Sequence, residues 1–172
     1  IVENMFDIFC SHLDVKNKDK IDILVEELRQ KEDYADNMRE ELTEFLLECS
    51  RQKLSWKTEA NIKRLLRIVS DLELMTDDCF SLSLILERSV TKELFFNQKE
   101  IDELTPYVEL VREFLKVVNK NLGYHMASEQ MQYATDLENQ IDKYRDRLRK
   151  TARKRLEAGA DVKTELLFID LV

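Results

Sequence analysis

Three pairs of carboxylates recur at one spacing in this chain: Glu32/Asp36, Glu73/Asp77 and Glu138/Asp142. Residues four apart lie one turn above each other on a single helical face. Each pair flanks an apolar heptad seam in the same way. Two antiparallel helices packed through such seams bring their acidic pairs towards one another. Carboxylates that converge with no cation beside them repel, and their pKa values rise. A divalent or trivalent metal ion relieves that repulsion by taking oxygen ligands. The spacing alone leaves a second reading open. In a chain with 36% charged residues, Glu-x-x-x-Asp also marks a solvated helix face.

Little else in the sequence points to catalysis. The two histidines, His12 and His125, fall near helix ends, far from the acidic pairs, and read as surface or capping residues. No serine stands beside a histidine in a nucleophile motif, and no glycine-rich loop cradles phosphate. The expectation is therefore a protein that is not an enzyme. The three cysteines, Cys10, Cys49 and Cys79, are too few, too widely spaced and odd in number for a disulfide framework or a zinc knuckle. Cys49 and Cys79 fall on apolar helical positions and read as buried free thiols of a reducing compartment.

Helices must position the acidic pairs, because the chain offers nothing else. Of 172 residues only 2 are glycine and 1 is proline, too few for the turns of a many-stranded sheet. Heptad seams run from Ile21 to Cys49, from Ile62 to Val90, from Ile101 to Leu122 and from Ala127 to Thr151. The periodicity predicts six helices, near 1–13, 17–50, 55–94, 98–122, 126–158 and 161–172. Ser55 and Asn97 are the predicted N-caps of the third and fourth helices, and Gly123 and Gly159 the predicted stops of the fourth and fifth. Pro106 implies that the fourth helix either starts late or kinks there. Short connections force antiparallel neighbours.

The segment Lys31–Leu42 repeats in pattern at Leu137–Leu148, so three helices before residue 95 match three after it. The expected fold is all-α, a tandem of two antiparallel three-helix bundles, residues 1–95 and 96–172. Net charge is −8, which disfavours nucleic acid and flat docking on anionic lipid and favours cations or basic protein surfaces as partners. A basic stretch from Lys143 to Arg155 runs against that trend and reads as a local docking patch. No apolar run is long enough to span a bilayer. The start at Ile1 and the apolar end, Leu166–Val172, read as those of a piece of a longer protein. The serine-leucine run around Ser81–Val90 suggests burial or self-association as a homodimer. Trp56, Phe95 and Phe96 read as core lids at helix ends.

The stretch Leu65–Glu73 followed by Asp77 resembles the signature of the PhoU family, an apolar lead-in to Asp-Leu-Glu and a further Asp four residues after the Glu. This chain departs from that signature at Leu74, Thr76, Asp78 and Ser81, where the family has Arg, Gly, His and Asn. The likeness covers nearly the whole length and is closest to PhoU-like domains of bacterial sodium/phosphate cotransporter-family proteins. Leu166–Val172 resembles the lead-in to a second signature. The resemblance implies a tandem three-helix architecture whose second half is cut before its signature. It also implies clusters of iron, zinc or another divalent cation on Glu32, Asp36, Glu73 and Asp77, and on Glu138 and Asp142. The implied role is regulation of phosphate transport on the cytoplasmic side of the bacterial inner membrane. The implied partner is the transmembrane domain of the same chain or a separate phosphate transporter. A stand-alone phosphate-signalling adaptor and a metal-free helical oligomerisation scaffold are the alternative readings.

Overall fold

The structure, a computed structural model, describes residues 1–123 and 126–172. It is all-α: α1 Val2–Cys10, α2 Lys18–Ser50, α3 Trp56–Thr91, α4 Gln98–Asn121, α5 Ser128–Glu157 and α6 Val162–Asp170, with no strand among the described residues. The boundaries follow local chemistry. Asn17, Ser55 and Asp161 each accept a hydrogen bond from the backbone N–H three residues on, which satisfies a first-turn donor. Asn97 does the same and receives the reciprocal bond, because the Glu100 carboxylate accepts from the Asn97 N–H at 2.8 Å.

The late start of α4 does not occur. Its capping box fixes the first turn at Gln98, and Pro106 is carried inside the helix. The end of α5 is a paired-bond stop. The Ala160 N–H reaches the Arg155 carbonyl at 3.0 Å and the Gly159 N–H reaches that of Leu156 at 3.0 Å, with Gly159 at φ 90°. Gly123 follows the C-cap of α4 without entering the left-handed region.

In the first part of the chain α1, α2 and α3 each pack on the other two. α4 lies on α1, α5 on α4, and α6 on α5 and α3. One continuous apolar core joins all six, from Met5 and Phe9 through Leu24, Leu28 and Leu86 to Leu104, Leu148 and Phe168. The middle of the α3 seam is small where it is buried: Thr76 and Ser83 turn their hydroxyls back to the Glu73 and Phe80 carbonyls at 2.7 and 2.6 Å. Each hydroxyl is thus satisfied within its own helix, and α3 is left a narrow face that lets neighbours approach.

Of the three expected lids two fail, and Phe95 is one of them, with its ring exposed. Phe96 is buried and meets Phe168 edge to face at 6.0 Å, as a lid should. Trp56 is not a lid; it is 82% exposed. The seam of α2 is buried only in its first half. Ile21, Leu24, Leu28 and Ala35 are covered, whereas Met38, Leu42 and Phe45 are exposed. No helix of the described residues is long and apolar enough to cross a membrane.

Candidate functional site

The antiparallel pairing of α2 and α3 brings the first two acidic pairs to one neighbourhood. Ala35 and Thr76 are buried on the two seams, and Glu32/Asp36 and Glu73/Asp77 flank them. Burial, first, and then the negative charges of Asp77, Asp33, Asp36 and Glu73 push the Glu32 carboxyl above the ordinary carboxylate range. For Glu32 burial and like charge thus act in the same direction. One cation of the chain already lies among them. Arg39 donates from Nε to Asp36 Oδ1 at 3.1 Å, and the same nitrogen stands 3.1 Å from Glu73 Oε1 on the facing helix. The guanidinium thus ties α2 to α3 through two of the four carboxylates.

The third pair stands apart. Glu138 and Asp142 lie on an exposed face of α5, and Asp142 pairs with Arg145 of its own helix at 2.9 Å. Among the described residues no three His, Cys, Asp or Glu side chains are placed to hold a metal ion as they stand. A cation bound by Glu73 and Asp36 would have to displace the Arg39 guanidinium. The donor set is chemically suited to a hard cation, but its present geometry is that of an arginine bridge.

A second ionic cluster was not visible in the heptad pattern. Arg155 of α5 makes a two-pronged contact with Glu165 of α6, at 2.6 and 3.0 Å, and reaches Glu103 of α4 at 2.6 Å. Glu100 stands 3.6 Å away, and the guanidinium lies over the Phe168 ring at 4.6 Å. Glu165 is 2% exposed, so this arginine carries the charge balance of the joint between α4, α5 and α6. The basic stretch that contains it is therefore divided. Arg155 is structural, while Lys143, Arg147, Lys150, Arg153 and Lys154 are exposed.

The thiols separate as well. Cys79 is buried, and burial pushes it up to about 11. Burial likewise pushes Cys10 up to about 12, and Cys49 is only half-buried. His12 holds the end of α1, with Nδ1 at 2.8 Å from the Ile8 carbonyl. His125 lies outside the described residues. Comparison with protein-family models, curated proteins and solved structures returns no match.

Proposed function

We propose that this chain is a PhoU-like regulatory domain, acting on the cytoplasmic face of a sodium-dependent phosphate cotransporter-family membrane protein. In this reading residues 1–95 and 96–172 are two three-helix halves, the second lacking its signature. The observation that carries it is the meeting of Glu32, Asp36, Glu73 and Asp77 on one α2/α3 neighbourhood, where the resemblance puts the first acidic cluster. The mechanism is mechanical and electrostatic. A stiff bundle binds one conformation of the transporter better than the other and shifts the population by that difference in affinity. Iron or zinc enters this reading only through the family resemblance.

A second reading, a metal-free helical scaffold, is favoured by Arg39, which already supplies a positive charge to Asp36 and Glu73. Sodium-dependent phosphate uptake by cells carrying the full-length protein tests the proposal. Replacing Glu32, Asp36, Glu73 and Asp77 by their amides is expected to change the uptake rate several-fold without changing the amount of protein. Unchanged uptake, or a reading frame without transmembrane helices, sinks it. Metal analysis of the same purified protein, grown with iron and zinc, separates the two readings.

A further inference from the structure

Charge is distributed unevenly along this molecule. On α2 the exposed Glu41, Glu44 and Glu48 follow one another at three- and then four-residue spacing, which makes one acidic row about 10 Å long. On α5 the exposed Arg147, Lys150 and Lys154 follow the same spacing and make a basic row of equal length. Like charges placed this way repel along their helix. Little inside the chain offsets that repulsion. Among the described residues no salt bridge joins either row to another helix: Glu48 pairs with the neighbouring Arg51 at 2.6 Å, and Arg147 lies over the Tyr144 ring at 4.8 Å.

The rows lie at opposite ends. Leu42, next to Glu41, lines one groove with Leu122 at the end of α4, whereas Arg155, next to Lys154, reaches Glu103 near the start of α4. From Glu103 to Leu122 is about 28 Å of helix. The two helices also run in opposite senses. α5 is antiparallel to α4, since Tyr133 meets Glu113 at 3.3 Å and Arg155 meets Glu103 at 2.6 Å. α1 is antiparallel to α4, since Glu3 meets Asn119 at 2.9 Å and Asp7 meets Arg112 at 2.7 Å. α2 turns back along α1, because Leu42 stands beside Ile1 in that groove, so α2 runs with α4 and against α5.

We propose that two copies of this chain associate end to end and antiparallel, the acidic row on α2 of each lying along the basic row on α5 of the other. Turning one copy by half a turn across its long axis brings each acidic end to a basic end, and it does so twice, so the pair is closed. In that arrangement α2 and the α5 of the second copy run in the same sense. Glu41, Glu44 and Glu48 then fall in order opposite Arg147, Lys150 and Lys154 of the second copy. Phe45, 64% exposed beside the acidic row, gains apolar cover at the same contact. The net charge of −8 disfavours a phosphate-bearing surface as the occupant of the basic row, whereas the acidic end of a second copy matches it in spacing as well as sign. The run Ser81–Val90, expected to self-associate, is spent inside the chain, where Ser83, Leu86, Ser89 and Val90 are buried. The inference is independent of any role in phosphate transport.

Sedimentation equilibrium of the protein tests it. At low salt the mass is expected to approach that of two copies as concentration rises. Association should weaken by about tenfold or more when the salt is raised from about 0.02 to about 0.3 M. Glu44→Lys alone, or Lys150→Glu alone, places like charges together at both contacts and should weaken association by about tenfold. The two substitutions in one chain exchange the charges at the same contacts and should restore it. A protein that stays monomeric at low salt overturns the proposal. So do assemblies of more than two copies, single variants that associate as the parent does, or a double variant that associates no better than the single ones.

Discussion

Arg155 shows how one side chain can be misjudged from its neighbours in sequence. Flanked by Arg153 and Lys154, it belongs by composition to a basic surface stretch. In space it is the shared partner of Glu165, Glu103 and Glu100. Burial works against its charge, and the carboxylates of Glu165 and Glu103 outweigh that cost and hold the guanidinium protonated. Arg155→Met leaves the Glu165 carboxylate buried and unpaired, which should destabilise the fold by about 3–5 kcal/mol. Arg155→Met combined with Glu165→Met should recover most of that loss, because two apolar groups remove the stranded charge. Urea denaturation of the three proteins is the measurement, and a double variant no more stable than the single one would contradict the account. The acidic pairs were legible at this scale because four-residue spacing is a property of one helix. The bridge from Arg39 to Glu73 was not, because it depends on the register between α2 and α3.

At the scale of elements, ends were read better than faces. Caps act within three or four residues, so Ser55 and Asn97 could be recognised from the sequence and are where they should be. The exceptions are the ends of α1 and α3, each of which stops three residues short of its expected bound, at Cys10 and at Thr91. The end of α3 shows why. There the Leu94 N–H returns to the Ser89 carbonyl at 2.8 Å, and Glu93 takes φ 55°. This is the bond pattern that a glycine usually closes, made here by a residue with a Cβ. No residue type advertised it. A non-glycine residue in the left-handed region costs about 1–2 kcal/mol, part of which glycine gives back in chain entropy. Glu93→Gly should therefore stabilise the protein by about 0.5–1 kcal/mol, read as a rise in the urea midpoint at unchanged slope. A fall in the midpoint would show that the Glu93 side chain contributes more than its backbone strain.

For the whole molecule the last helix is decisive. Phe168 is fully buried, packs on Phe96 and carries Arg155 over its ring, so it joins α6 to α5 and to the connection between α3 and α4. Phe168→Ala should cost about 3–5 kcal/mol. Because one core links all six helices, the loss should shift a single unfolding transition rather than split it. Two separated transitions, one unaffected by the substitution, would mean that α4–α6 fold apart from α1–α3.

By itself the sequence determined that this protein is helical, how many helices its described residues form and nearly where each begins, since periodicity and capping are decided within a few residues of chain. Tertiary structure decided which carboxylates meet and which stand alone, that Arg155 is interior, and that the α2 seam is covered only as far as α1 reaches. Those outcomes depend on the lengths and register of neighbouring rods, and a seam looks the same in sequence whether or not another helix lies against it.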